Sequence, residues 1–484
     1  MISGSTWMVA MRWAVRGIGV VSTVVLVRLL APEDFGLVAI GSLFLSFLTV
    51  LTSFGVDMAL IQRADTDDAH YSTAWTIRAL QTAFVALSVY LVAPFAATYF
   101  DEPRVRGLMQ LMSVGVLIGG FENIGIVNFR KDLLFSREFT FLVATKVGSF
   151  IVTITLAFWL RNYWALAWGV ISFRFIAVVL SFVMHPYRPR LDLSRFADLW
   201  SFSQWMLLRN IGMYLRKQID TFLVARTFGT DNVGYYSISK EVSELPTTEI
   251  IWPMARALFP GYAKLAHDPV RLGAAFLKVL NTIALIAIPA GIGIARIAEP
   301  LVNVVFGDRW LPVVPAMSWL SVYGAVLTIS SSVQAPLIAL GHMRMVAAIV
   351  WVQLIVVVPA IVYAVNHGDI TLVAQAQFAV SIVLLPVFFF ALTSLKVIRW
   401  AEVYQALWRP ASAGLAMFAV TSTIPSIWFS SPVYELAAII PIGAIVFICI
   451  DMLLWIVSKR PDGGETAILE ILGSNIAFFR RIAR

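Results

Sequence analysis

Apolar runs of about 20 residues follow one another almost from end to end, as at 37–60, 139–160, 345–365 and 433–457. A helix of that length crosses a hydrocarbon layer of roughly 30 Å. This recurrence makes the chain a polytopic membrane protein. Composition agrees. Of 484 residues, 60% are hydrophobic and 13% charged. The charged share is about half the roughly 25% usual in soluble domains. Mean hydropathy is +0.83. The single cysteine, Cys449, rules out an internal disulfide.

Breakers between the runs predict about 14 helices, near 8–30, 37–60, 75–99, 108–128, 139–160, 163–184, 199–226, 233–258, 272–295, 312–339, 345–365, 369–392, 408–429 and 433–457. The loops are short, and no soluble domain is inserted. Arg12 and Arg16 before an apolar stretch imitate a signal peptide, but no small-x-small site follows. The first helix is therefore expected to be retained. Residues 458–484 read as a cytoplasmic tail. It ends either in an amphipathic surface helix carrying Arg480, Arg481 and Arg484 or in a frayed segment.

The net charge is +8. It sits in short loops rather than in a basic domain, so it reports topology and not nucleic acid. With the N-terminus placed in the cytoplasm, the inner loops and tail hold eighteen Lys and Arg and the outer loops six. That bias predicts both termini inside and an even number of helices.

One segment occurs twice. Residues 28–36 read RLLAPEDFG and 226–234 read RTFGTDNVG, at an offset of 198. The same offset pairs Trp7 with Trp205, Met8 with Met206 and Thr23 with Thr221. Six predicted helices precede the second copy, so both copies run the same way through the membrane. The expected fold class is thus an all-α polytopic membrane protein built of two parallel six-helix lobes. The lobes are residues 1–190 and 191–400, two more helices lie in 401–457, and the tail is 458–484.

The seventh predicted helix carries Arg209, Arg216, Lys217 and Asp220. Arg216 lies ten residues from Arg226, about 15 Å along a helix, which places it near the bilayer centre. A charge there costs roughly 2.5–3.5 kcal/mol and has to face protein or a wet cavity. Arg12 and Arg16 of the first helix repeat the theme more weakly. The eighth carries Glu241 and Glu244. Two readings stay open. In one, Arg12, Arg16, Arg209, Arg216 and Lys217 line a cationic cleft that grips a phosphate or diphosphate. Asp220, Glu241 and Glu244 are then candidates for ion coupling. In the other, acids and bases pair and only hold the lobes together.

No P-loop, nucleophile motif or metal-ligand spacing is present, and the five histidines are scattered. No catalytic residue, metal or cofactor is therefore expected, and the work has to come from an ion gradient or the membrane potential.

The RLLAPEDFGL run after the first helix, GVDMALIQR at 55–63, and RKQIDTFLVARTFG with GYYS from Arg216 to Ser237 resemble a known family. They are similar to bacterial Wzx-type lipid-linked oligosaccharide flippases, in the colanic-acid and succinoglycan branch of the multidrug/oligosaccharidyl-lipid/polysaccharide exporter superfamily. The resemblance implies a V-shaped bundle, alternating access and a bacterial inner-membrane location. It implies an undecaprenyl-diphosphate-linked oligosaccharide as cargo, contacted by Arg12, Arg16, Arg209, Arg216 and Lys217. A polysaccharide polymerase and a chain-length regulator are the partners it implies. Its rivals are an ion-coupled multidrug exporter of the same fold and a membrane polysaccharide polymerase or ligase.

Overall fold

The computed structural model describes residues 2–52, 60, 66–196, 203–246, 261–467 and 469. Every regular element among them is helical. Contacts divide the chain into two compact units, Met1–Ser237 and Ile238–Arg484.

The first unit begins with α1 (Ile2–Leu29) and α2 (Pro32–Thr52), followed by α3 (Asp68–Tyr99) and α4 (Arg104–Gly119). Then come α5 (Val127–Lys131), α6 (Phe135–Leu160), α7 (Trp164–Met184) and α8 (Ser203–Pro246). α8 runs on into the second unit, and its helical backbone is interrupted at Gly229. The predicted seventh and eighth helices are its two arms. α1 packs along α6, and Leu26 and Leu30 share a core with Ala157 and Ala165.

The predicted span 108–128 is bent by 68° instead of straight. The cause is Asn123, which is fully buried. Its backbone N–H donates to Ser181 Oγ at 2.9 Å, and its Nδ2 donates to the Tyr187 carbonyl at 2.7 Å. Its Oδ1 accepts from the Gly125 N–H at 2.9 Å. A short polar side chain that bonds the backbone locally competes with the helix ladder and turns the chain. Asn123→Ala keeps the bond to Ser181 but removes the acceptor of the Gly125 N–H and a donor to the Tyr187 carbonyl, at about 1–3 kcal/mol. A lower melting temperature in detergent is expected; an unchanged one would assign the bend to Gly119 and Gly120 alone.

In the second unit α9 (Pro269–Val305) packs on α10 (Val314–Ser331), α13 (Ile370–Ser394) packs on α10, α12 (Met343–His367) packs on α13, and the short α11 (Gln334–Ala339) meets α12. Leu280, Ile283, Phe388 and Leu392 belong to its main core. Two further helices, α14 (Trp400–Ser422) and α15 (Pro432–Val457), pack on α9 through Leu285, Ala413, Met417 and Phe447. One end of this trio is tied by Arg296, which donates to the Thr421 carbonyl at 3.0 Å and the Ile424 carbonyl at 3.2 Å. Arg296 also pairs with Glu435 at 3.8 Å.

Ten described helices are long and apolar enough to cross a membrane, or eleven if the bent pair counts as one span. α8, with Arg216, Lys217 and Asp220, and α14, with Glu402 and Arg409, are less apolar and stand outside that set. Most of the GVDMALIQR segment, Glu249, and the tail with Arg480, Arg481 and Arg484 lie outside the described residues.

Candidate functional site

The two copies of the repeated segment do the same structural work. In the first, the chain leaves α1 after Leu29 and enters α2 at Pro32. Asp34 holds this corner: its Oδ2 accepts from the Ala31 N–H at 2.9 Å and its Oδ1 from the Tyr163 N–H at 2.8 Å. In the second, the position equivalent to Ala31 is Gly229, at φ 76°. That conformation costs glycine little and other residues more. The partner of Asp34 in the repeat is Asn232, whose Nδ2 donates to the Phe228 carbonyl at 3.0 Å. Both copies thus use a short polar side chain to satisfy backbone groups freed by a break.

The copies also touch. A Cβ on Gly36 would collide with the Thr230 carbonyl, and a Cβ on Gly234 with the Pro32 carbonyl. Gly36 and Gly234 are related by the 198-residue offset, and so are Pro32 and Thr230. The contact is therefore reciprocal, the pattern that a two-fold relation imposes on like surfaces. All four residues lie in the first unit. Sequence comparison of the copies marks both glycines. Only the backbone approach reveals that they meet each other.

Between α2 and the first arm of α8 lies an apolar cavity of about 240 Å³, lined by Leu43, Phe44, Phe47, Tyr214, Leu215, Gln218, Ile219 and Phe222. Tyr214 donates to the Leu43 carbonyl at 2.5 Å, and its ring lies 5.6 Å from that of Phe47. At about 100° per residue, positions 214, 215, 218, 219 and 222 share one face. Positions 209, 216 and 220 fall on roughly the opposite one. The first arm of α8 is thus amphipathic, with its apolar face toward α2 and a charged face turned away.

The structure places the expected residues as follows. Arg12 and Arg16 are half-buried on α1. Arg216 is half-buried and Lys217 exposed on α8. The side chain of Arg209 lies outside the described residues. Asp220 is buried, and its Oδ2 accepts from the Tyr236 hydroxyl at 2.9 Å. Its Oδ1 accepts from the Thr221 N–H at 2.7 Å. Asp220 thereby ties one arm of α8 to the other across Gly229. Glu241 is exposed and Glu244 half-buried, and both belong to the second unit.

At the far end of the first arm, the Arg226 guanidinium lies 5.1 Å from the centre of the Tyr99 ring. Tyr99 and Phe222 stack with ring centres 5.8 Å apart. Nearby, Arg104 bridges Glu33 and Glu102. Hydrogen bonds from Arg104 hold the Glu102 carboxyl below its ordinary range. Asp451 of α15 is buried beside Arg409 and Glu465.

Residues 25–315 match the family described as "Polysaccharide biosynthesis protein". The chain is 24% identical over 346 residues to the lipopolysaccharide biosynthesis protein WzxC of Escherichia coli (strain K12), covering 70% of each. It is 25% identical over 331 residues to the succinoglycan biosynthesis transport protein ExoT of Rhizobium meliloti (strain 1021), covering 66% of each. Its fold is similar to that of the lipid II flippase MurJ in an inward closed conformation, with a TM-score of 0.72. That match has 13% identity and covers 95% of this chain and 100% of the other. A helical membrane bundle with these matched segments belongs to the polysaccharide biosynthesis protein family.

Proposed function

We propose that this chain is a flippase that moves an undecaprenyl-diphosphate-linked oligosaccharide from the cytoplasmic to the periplasmic leaflet of the bacterial inner membrane. The cargo would serve exopolysaccharide, capsule or O-antigen synthesis. The observation that carries this reading is the amphipathic first arm of α8, which puts Arg216 opposite an apolar face inside a chain of the polysaccharide biosynthesis protein family. The names of WzxC and ExoT, and the MurJ-like fold, support the class of cargo.

The physical argument is direct. A diphosphate with several sugars cannot cross hydrocarbon unaided, while a polyprenyl tail can stay in lipid. Arginine grips phosphate oxygens through two parallel hydrogen bonds. Arg12, Arg16, Arg209, Arg216 and Lys217 are the residues proposed to contact the headgroup. Asp220, Glu241 and Glu244 remain proposed coupling groups, although the hydrogen bond from Tyr236 also gives Asp220 a structural task. The finer architecture belongs to the same reading: about 14 spans, two parallel six-helix lobes and cytoplasmic termini.

Purified protein in liposomes should move a polyprenyl-diphosphate oligosaccharide between leaflets, read by accessibility of the sugar to an external glycosidase. Loss of the protein should remove surface polysaccharide. No movement in liposomes together with intact surface polysaccharide would overturn the proposal. Resistance to cationic drugs on overexpression would instead favour a drug exporter, and polymer formed from added repeat units would favour a polymerase.

A further inference from the structure

Just past α15 the chain folds back, and residues 461–467 dock against α9 and α14. Trp455 Nε1 donates to the Pro461 carbonyl at 3.1 Å. Asn281 reads both sides of the joint: its Oδ1 accepts from the Gly464 N–H at 2.6 Å, and its Nδ2 donates to the Ala406 carbonyl at 2.8 Å. The centre of the joint is an ion pair. Arg409 Nε and Nη2 reach Glu465 Oε1 at 3.0 and 2.9 Å. Arg409 is 4% exposed and Glu465 0%.

A third charged group is buried with them. Asp451 of α15 is 2% exposed and close enough to Glu465 and Arg409 to act on both electrostatically. Its Oδ1, and the Oε2 of Glu465, are buried acceptors with no hydrogen-bond partner among the described residues. The cluster therefore holds two carboxylic groups against one guanidinium. With both acids ionised it carries a net negative charge away from water, with two lone oxygens unsatisfied. An unpaired buried charge is the costly case. One added proton brings the set to neutrality, and the new O–H is a donor in a cluster that lacks one. A proton supplies both the missing positive charge and the missing donor.

A route to water adjoins the cluster. Arg409, Asn281 and Gly463 line a cavity of about 510 Å³ with mixed polar and apolar walls, bordered also by Lys278, Glu402 and Asp462. The charges around it are mostly paired off: Lys278 with Asp462 at 3.0 Å, and Arg399 with Glu402 at 2.6 Å. Arg460 stands over the ring of Trp455, and Lys396 also lines the cavity. Among the described residues Asp451 Oδ1 and Glu465 Oε2 accept no hydrogen bond from these neighbours, which leaves the proton balance to Asp451, Arg409 and Glu465.

We propose that Asp451, Arg409 and Glu465 form a binding site for one exchangeable proton, reached from water through the adjoining cavity. The proton arrives from water and leaves to it, and no other bond is made or broken. The site itself needs no cargo; its use to couple transport to a pH gradient rests on the flippase reading. Because the acids join α14, α15 and the returning segment 461–467, loading and unloading the proton would change how firmly that segment is held.

Infrared difference spectra of the purified full-length protein in light and heavy water test the site. At neutral pH the wild type should show a protonated-carboxyl C=O band that shifts on deuteration. Asp451→Asn or Glu465→Gln should abolish it. Both replacements keep shape, and two variants guard against one failing to fold. A band unaltered in every folded variant, or no carboxyl band at neutral or mildly acidic pH, overturns the proton site. In liposomes with an imposed pH gradient, wild-type flipping should speed up at least several-fold and the Asp451→Asn variant should lose that response. Equal responses overturn the coupling role. The spectra involve no cargo, so their failure is distinct from a failure of the wild type to flip.

Discussion

Arg216→Ala is expected to abolish export of surface polysaccharide while the protein stays in the membrane at its normal level. The side chain is half-buried in the middle of a helix whose opposite face meets α2. A charged hydrogen bond contributes about 1.5–3 kcal/mol. Losing even one to a diphosphate should slow flipping about tenfold, and losing a two-pronged grip about a hundredfold or more. Arg216→Lys should fall between, because the charge remains and the planar fork is lost. Lys217→Ala should also impair export, by less, since an exposed ammonium acts as a point charge. Liposome flipping rates, normalised to protein, read the series. Normal export by Arg216→Ala would return the residue to a structural role in ion pairing.

Gly36→Ala and Gly234→Ala should each disrupt the meeting of the two repeat copies, and by similar amounts. The obstruction in each case is a backbone carbonyl, of Thr230 or of Pro32, which cannot rotate away as a side chain can. Forcing extra atoms into a packed contact typically costs about 1–3 kcal/mol. Each variant should therefore melt several degrees below wild type and lose transport. The double variant should be less than additive, since both changes push apart the same pair of segments. Wild-type stability in either single variant would show that the copies do not rely on this contact. As a control, alanine at Gly17 meets no atom within 4 Å and should leave stability unchanged or improved.

Much of the helical layout was legible because the bilayer simplifies the problem. Backbone groups in hydrocarbon have to bond within the chain, so apolar length maps onto helices. Runs such as 139–160 and 163–184 differ from Phe135–Leu160 and Trp164–Met184 by a few residues at most. The bend within the span 108–128 is not legible in the sequence because Asn123 looks there like an ordinary polar residue. Its hydrogen-bond partners include groups as distant as Ser181 and Tyr187. The surroundings of Asp451 are not legible for the same reason: its neighbours Arg409 and Glu465 are 42 and 14 residues away in sequence and meet it only through folding.

Sequence alone determined that this is a helical membrane protein with an internal repeat and with charges where lipid would oppose them. Each of these follows from local composition and spacing, which hydrocarbon penalises residue by residue. Tertiary structure decided which surfaces those features meet. It set Gly36 against Thr230 and Gly234 against Pro32, gave Asp220 to Tyr236, and buried two acids around Arg409. Such pairings depend on close packing between distant segments, and no period or motif along the chain records them.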